Sequence, residues 1–200
     1  MSGVTRREQI LAAAAEVFSE TGYHGARIED IAVNAGIGKG TVYEYFTSKR
    51  ELFEESIFFV LEKYLYETME GVNSIPDPIG KLKGVISLQT SLMDRKGNIA
   101  TLFMKNSGDI HREMLDRLID FRERVLDFIA GIIAGGIQKG VFRPMDPRLA
   151  AILFMGVLQE AETIRCSGSR ISDKTIDTIL DYMIKGIGKI RNGGTPCSSG

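Results

Sequence analysis

The 200-residue sequence is poor in the residue types that most often carry metal binding, covalent cross-links or catalysis. It has no tryptophan, two histidines, two cysteines and five prolines. Cys166 and Cys197 are too few and too far apart in sequence for a metal cluster, so free thiols in a reducing compartment are the expectation. We therefore predict neither a metal site nor a cofactor.

A catalytic site also finds little support. Cys166 with His24 or His111 could form a nucleophile and its base, but the neighbours of Cys166 do not resemble an activated site. Residues 54–191 show no paired carboxylates, nucleophile or phosphate loop with sensible spacing. No catalytic residue is predicted, and an enzyme remains the weaker alternative.

Targeting segments and an excess of one charge are missing as well. The first residues lack the charged region and apolar stretch of a signal peptide, and no apolar run approaches the length of a membrane span. The net charge is -1, and 44% hydrophobic with 26% charged residues is the composition of a globular protein with one or two domains. We expect a cytoplasmic protein with no membrane contact.

What the sequence does contain is a compact series of helix signals between residues 5 and 53. Thr5 and Glu8 have the spacing of a capping box, and apolar residues then recur at helical period. A second apolar stripe ends just before Gly36, the position at which a helix often ends in the left-handed conformation. A third helix must therefore begin a few residues later.

The third helix lies within KGTVYEYF (39–46) and has two different sides. Val42 and Phe46 are spaced to face a core. The remaining residues supply positive charge, hydroxyl groups and a small residue for close backbone approach, as phosphate and base-edge recognition require. These residues are Lys39, Gly40, Thr41, Tyr43 and Tyr45, followed by Lys49 in the first turn of a fourth helix capped by Ser48. The pattern predicts a helix-turn-helix that contacts DNA, with an ordinary solvated face of a small helical bundle as the alternative.

Residues 5–53 resemble the DNA-binding domain of the TetR/AcrR family of transcriptional regulators, with GTVYEYFTSKRELF matching the recognition helix and the start of the next helix. The resemblance implies that the outward residues named above approach the DNA. Two positions depart from the family pattern. Ala26-Arg27 stands where a Thr/Ser pair usually caps the second helix, so the cap is expected from the backbone or water, and Arg27 is a candidate for a phosphate contact instead. Glu44 stands where a neutral or basic residue is common, and its role is open between repelling the DNA backbone and accepting from cytosine N4.

Beyond the third helix the sequence is helical without a convincing strand, which predicts an all-α fold. The predicted domains are a helix-turn-helix DNA-binding domain (1–47) and a helical ligand-binding and dimerisation domain (48–191). A Gly/Ser-rich tail (192–200) is expected to be disordered. The first 53 residues carry six positive side chains against seven negative ones, so we expect one such domain alone to bind DNA weakly.

A dimer interface is predicted on the last two helices. Residues 149–158 are apolar on all sides and must be covered on both. The final helix carries an apolar stripe made of Ile176, Ile179, Leu180, Met183 and Ile187. Two helices from each subunit would form a four-helix bundle, as the resemblance also implies, with the core of a single monomer as the alternative. A homodimer would present two recognition helices to the half-sites of a palindromic operator, roughly 34 Å apart.

The length of the second domain suggests a sensor, because a simple DNA binder would not need it. In the resembling family the middle helices enclose a ligand cavity, and ligand binding changes the separation of the DNA-binding domains. Adaptable apolar side chains and one amide could line such a cavity here: Met93, Phe103, Met104, Phe121, Phe128, Met155 and Gln159. For each apolar residue plain core is the favoured alternative, and for Gln159 the alternative is a polar contact across the dimer. The predicted effector is a small hydrophobic molecule, and a DNA-binding dimer without an effector is the alternative.

Overall fold

The computed structural model describes residues 4–95, 112–166 and 173–187. The regular elements in these ranges are all α-helices, which confirms the predicted fold class. They are α1 (Arg6–Gly25), α2 (Ile28–Asn34), α3 (Lys39–Tyr45), α4 (Lys49–Asn73), α5 (Pro78–Arg95), α6 (Arg112–Gln138), α7 (Pro147–Cys166) and α8 (Asp173–Ile187). The predicted tail (192–200) lies outside the described residues.

Helix α1 begins at the predicted capping box. The Thr5 hydroxyl accepts from the Glu8 amide at 3.2 Å, and the Glu8 carboxylate accepts from the Thr5 amide at 2.7 Å. The hydrogen bond from the Thr5 backbone lowers the pKa of Glu8, because it stabilises the ionised carboxylate. The sequence predicts that α1 stops at Gly22, and Gly22, with φ of 73°, interrupts the regular helix there.

The turn between α2 and α3 is closed by Gly36, whose φ of 66° is in the left-handed region. The Gly36 amide donates to the Val33 carbonyl at 3.0 Å, and the Ile37 amide donates to the Ala32 carbonyl at 2.9 Å. These two bonds define a Schellman motif, in which glycine avoids the strain that a Cβ would bring. The motif ends α2 and brings the chain to the first residue of α3 within three residues.

One apolar core holds α1, α2 and α3 against the first half of α4. Val42 and Phe46, predicted to face a core, are each 1% exposed. The Phe18 ring meets the Phe53 ring edge-on at 5.0 Å between centroids, which joins α1 to α4. Met114 of α6 is also part of this core. The core that holds α3 therefore includes side chains from the next helix, α4, and from the sequence-distant α6.

The sequence predicts that α4 ends near Met69, and this is wrong by one turn. The helix continues to Asn73, because Val72 is fully buried and packing holds the last turn in place. Asp146 followed by Pro147 predicts the start of α7, and the Asp146 carboxylate caps that helix by accepting from the Arg148 amide at 2.8 Å. Gly140 predicts a glycine C-cap for α6, and with φ of 68° it ends that helix in a second Schellman motif.

The chain divides into two compact units. The first comprises Met1–Gly71 and Leu88–Arg122, and the second comprises Val72–Ser87 and Glu123–Gly200. The helix-turn-helix belongs to the first unit, whereas α7 and α8, which pack against each other, belong to the second.

Candidate nucleic-acid interface

Helix α3 has one buried and one open side, as predicted. Opposite the buried Val42 and Phe46, the side chains of Tyr43 and Tyr45 are 48% and 42% exposed. Lys39 and Gly40 are exposed too, and Thr41 is half-buried. Both tyrosines lie on the exposed side of a seven-residue helix and are not needed for its core contacts. Their side chains are therefore accessible to an external partner.

Gly40 is not required by the packing of the chain itself. A Cβ placed on it would meet no atom within 4 Å, and its φ is not in the left-handed region. Glycine in a helix costs about 1 kcal/mol relative to alanine. The bare backbone at this position therefore favours close approach of something outside the chain.

The ammonium group of Lys39 has an acidic partner that sequence reasoning missed. Lys39 Nζ lies 2.6 Å from Glu29 Oε1 of α2, and 6.0 Å from the centroid of the Tyr43 ring. The hydrogen bond between the Lys39 ammonium and the Glu29 carboxylate lowers the pKa of Glu29 and raises the pKa of Lys39. Both shifts stabilise the charged forms, which the two groups have at neutral pH. The sequence carries no local signal for this pair, because the two residues are ten positions apart on different helices and meet only in the folded structure.

Lys49 is held against the end of α1. Its Nζ lies 4.8 Å from the centroid of the Tyr23 ring and donates to the His24 carbonyl at 3.4 Å. Tyr23 in turn packs on Phe53, with 5.0 Å between ring centroids. A lysine has three donors, so a phosphate can still be bound while the carbonyl is retained. Sequence reasoning placed Lys49 in the first turn of its helix, which is confirmed, but did not identify these partners.

The junction between α3 and α4 departs in one detail from the predicted second capping box. The Glu51 amide donates to the Ser48 hydroxyl at 3.1 Å, as expected. The Glu51 carboxylate instead accepts from the hydroxyl and the amide of Thr47, at 2.6 and 2.7 Å. The bonds from the Thr47 hydroxyl and amide lower the pKa of Glu51. One carboxylate thus ties the start of α4 to the residue after Phe46.

A bridge of three charged residues lies behind the recognition helix and was not predicted. The Glu55 carboxylate accepts from Arg7 of α1 at 2.8 Å and from Arg117 of α6 at 2.7 Å. The Arg7 guanidinium also lies 5.2 Å from the Phe46 ring centroid, and that of Arg117 lies 3.8 Å from the Phe58 ring centroid. The Arg7–Glu55–Arg117 bridge therefore connects three helices, and Arg7 extends the connection to the end of α3.

The two departures from the family pattern are both at the surface. Arg27 is exposed and precedes α2 without a side-chain cap, as predicted, and its carbonyl accepts from the amides of Asp30 and Ile31. Glu44 is exposed on α3. The predicted DNA-contacting residues thus all lie in the first unit.

The apolar segment 149–158 is covered on one side only by the described part of the chain. Ala151, Phe154 and Leu158 are buried, whereas Leu149 and Leu153 are 61% and 67% exposed. Ile152 is also exposed. The three exposed residues lie at the i, i+3 and i+4 positions of one helix face, which leaves an apolar surface on α7.

The other predicted dimer residues are in α8. Ile179 and Met183 are half-buried, and the neighbouring Tyr182 is exposed. The remaining three of the predicted stripe lie on this helix, but their side chains are outside the described set: Ile176, Leu180 and Ile187. Their part in a dimer remains a prediction.

The predicted ligand residues are dispersed among several helices. Phe121 is half-buried in the first unit, and Phe128 and Met155 are half-buried in the second. Gln159 is exposed on α7. Phe103 and Met104 lie outside the described residues, and Met93 lies on α5 with its side chain outside them.

A buried polar group on α4 was not predicted. Thr68 is 5% exposed, and its hydroxyl has no hydrogen-bond partner in the described part of the chain. An unpaired buried hydroxyl is costly, so such groups call for an explanation. Among the described residues no group of His, Cys, Asp or Glu is arranged to hold a metal ion. The described helices include none long and apolar enough to cross a membrane.

Comparison with known proteins relates both parts of the chain to regulators. Residues 10–56 match the family described as bacterial regulatory proteins, tetR family, and residues 76–187 match the tetracyclin repressor-like C-terminal domain. The chain is 27% identical over 182 residues to the fatty acid metabolism regulator protein of Bacillus subtilis (strain 168), across 90% of this chain and 94% of that protein.

Solved structures show the same fold. The transcriptional regulator FadR from Bacillus subtilis, in complex with stearoyl-CoA, matches with a TM-score of 0.74 at 26% identity, across 90% of this chain and 98% of that chain. AibR, in complex with isovaleryl coenzyme A and operator DNA, matches with a TM-score of 0.64 at 20% identity, across 92% and 98% of the two chains. With family matches to its N-terminal and C-terminal parts, this chain belongs to the TetR family of bacterial transcriptional regulators, with a DNA-binding helix-turn-helix.

Proposed function

We propose that this chain is a cytoplasmic repressor that binds a palindromic operator as a homodimer and is released from it by a small hydrophobic ligand. The observation that carries the proposal is the division of α3. Val42 and Phe46 anchor the helix in the core, and Tyr43 and Tyr45 remain exposed beside Lys39. A helix held in this way presents hydroxyl and ammonium donors at fixed positions, as phosphate contacts require.

The proposed partner subunit is a second copy of this chain. Leu149, Ile152 and Leu153 form an uncovered apolar surface on α7, next to α8 with its half-buried Ile179 and Met183. A two-fold axis would bring the same surface of each copy together, so that each helix covers its equivalent. The second DNA-binding domain would supply the affinity that a nearly neutral single domain lacks.

The proposed ligand class is an acyl-CoA thioester. FadR from Bacillus subtilis, similar to this chain over almost its full length, is in complex with stearoyl-CoA. The polar thioester of such a ligand suits an unsatisfied buried hydroxyl, such as that of Thr68 in the first unit. Phe121 of the same unit is a candidate for contact with the acyl chain. Phe128 and Met155 of the second unit stay predictions from the sequence.

The experiment that tests DNA recognition begins with selection of bound duplexes from a random pool, which yields the operator and its symmetry. Tyr43→Phe is then titrated against that operator. Loss of one hydroxyl contact to a phosphate should weaken binding roughly tenfold. Tyr66→Phe is the control, because Tyr66 is also an exposed tyrosine but lies on α4, away from α3 in the sequence.

Two results would contradict the proposal. A selected sequence without two-fold symmetry would show that the protein does not bind its operator as a symmetric homodimer. Equal operator affinity in Tyr43→Phe, Tyr66→Phe and the parent protein would remove Tyr43 from the recognition surface.

A further inference from the structure

The positive charge that α3 offers to DNA is already engaged within the chain. Lys39 Nζ is 2.6 Å from Glu29 Oε1, and the two side chains are 52% and 57% exposed. Lys39 also lies 6.0 Å from the ring of Tyr43, the residue beside it on the open face. A carboxylate oxygen thus already takes one of the three ammonium donors. Unlike the neutral carbonyl bound by Lys49, this acceptor is an anion, so it neutralises the charge that attracts a DNA phosphate and repels the phosphate itself.

The pair is both charged and exchangeable. Its mutual hydrogen bond lowers the pKa of Glu29 and raises the pKa of Lys39, so an ionised carboxylate faces an ammonium at neutral pH. Surface pairs of this kind are held weakly, because water and salt screen both partners. A phosphate can therefore displace the carboxylate, but it must compete with it.

We propose that Glu29 is an intramolecular competitor of DNA phosphate for Lys39, lowering the affinity of the protein for duplexes of any sequence. The inference rests on the proposed recognition surface, because it requires Lys39 to contact DNA. When Lys39 transfers to a phosphate, Glu29 is left without its partner beside the duplex. The free energy gained from the contact between Lys39 and the phosphate is therefore reduced by the loss of the contact between Lys39 and Glu29. Such competition limits occupation of non-operator DNA, for which phosphate contacts supply nearly all of the binding.

The competition should appear in titrations of Glu29→Gln against the selected operator and against an unrelated duplex at several salt concentrations. We expect affinity for both duplexes to rise about threefold at low salt, the effect of removing one exposed pair. The slope of log affinity against log salt should steepen by up to about 0.9, because Lys39 then neutralises a phosphate without giving up a carboxylate.

Asp30→Asn separates competition from general repulsion. Asp30 is the next residue in the same first turn of α2 and is also exposed, so both variants remove one negative charge from nearly the same place. Glu29→Gln should exceed Asp30→Asn in affinity and in salt slope. Equal effects would mean that Glu29 acts only by its charge, which overturns the proposal, as would weaker binding in Glu29→Gln.

Lys39→Met distinguishes failure of this inference from failure of the recognition surface. If Lys39→Met leaves operator affinity and its salt dependence unchanged, Lys39 does not contact DNA and both proposals fail at this residue. If Lys39→Met weakens binding, the double variant Lys39→Met with Glu29→Gln decides the inference alone. The double variant should gain no more operator affinity over Lys39→Met than Asp30→Asn gains over the parent protein. A gain as large as that of Glu29→Gln over the parent protein would overturn the proposal.

Discussion

At the scale of the residue, the seven positions of α3 serve two roles, core packing and an exposed surface. Val42 contributes to the core, and Lys39, Gly40 and Tyr43 have no comparable role in packing. The division follows from helical period and was predictable from the sequence. The partners of the outward residues were not predictable, because Glu29 and Tyr23 reach the two lysines only after α1 and α2 have packed.

Substitution of Gly40 separates stability from DNA binding. Gly40→Ala should raise the free energy of unfolding by up to about 1 kcal/mol, because alanine is the better helix former and its Cβ meets no atom of the chain. The same Cβ should weaken operator binding by holding the helix backbone away from the duplex. Urea denaturation and operator titration measure the two effects.

Gly131→Ala is the control for Gly40→Ala. Gly131 is another exposed helical glycine with open space at its Cβ, but it lies on α6. It should gain similar stability and keep full operator affinity. Full affinity in Gly40→Ala as well would show that the glycine has no part in the interface.

At the scale of the element, the local signals were predictable and the joints between helices were not. Thr5 with Glu8 and Asp146 before α7 cap their helices as their spacing predicts. Glu51 bonds to Thr47 instead of completing its box with Ser48, because the turn after Phe46 brings the Thr47 amide and hydroxyl to its carboxylate. The Arg7–Glu55–Arg117 bridge left no sequence signal, because its members are 48 and 62 residues apart.

This bridge makes stability depend on pH in a defined direction. Burial raises the pKa of Glu55, but the hydrogen bonds from Arg7 and Arg117 outweigh it, and the net shift is downward. A lowered carboxyl pKa contributes stability above the unfolded value, about 4.3, and this contribution is lost as pH falls through the folded value. Glu55→Gln should therefore lower the free energy of unfolding by about 1 kcal/mol at pH 7.

The pH dependence identifies the cause of that loss. Urea denaturation of Glu55→Gln and the parent protein should give converging stabilities as the pH is lowered below about 4. Glu70→Gln, an exposed glutamate on the same helix, should change little at either pH. A constant difference between Glu55→Gln and the parent protein would assign the loss to packing rather than to ionisation.

At the scale of the whole molecule, the uncovered face of α7 predicts the oligomeric state. The sequence predicts that residues 149–158 need cover on both sides, and the residues that the structure describes provide it on one. Leu153→Glu should give monomers in light scattering, because two copies would oppose like charges in an apolar contact. Operator affinity should fall with it.

Leu115→Glu is the control for the dimer test. Leu115 is 49% exposed on α6, so its substitution adds the same charge to a different surface. It should remain dimeric. A dimeric Leu153→Glu with normal operator binding would place the subunit contact elsewhere.

The ligand response is a second property of the whole molecule. A ligand releases DNA only if it binds more tightly to the conformation that fits the operator poorly, and the coupling must then be reciprocal. We expect stearoyl-CoA to lower operator affinity, and saturating operator to lower stearoyl-CoA affinity by the same factor. Calorimetric titration with and without operator measures both. Equal ligand affinities in the two titrations, or no binding at all, would leave a DNA-binding dimer without this effector.

The role of Thr68 is tested in the same titration without DNA. Thr68→Val keeps the shape and removes the unpaired hydroxyl, so it should weaken stearoyl-CoA binding while leaving operator affinity nearly unchanged. Thr178→Val is the control, because the Thr178 hydroxyl is exposed and already donates to the Lys174 carbonyl at 2.8 Å. Undiminished ligand affinity in Thr68→Val would exclude this hydroxyl from the site.

The shared core of α1 to α4 limits how such a regulator can be recombined with its relatives. Leu52, Phe53 and Ile57 of α4, and Met114 of α6, belong to the same buried cluster as the recognition helix. A hybrid protein joined at residue 47 would take the larger part of that cluster from one parent and the rest from the other. New operator specificity is therefore better transplanted through the exposed residues of α3 than by exchanging the whole N-terminal segment.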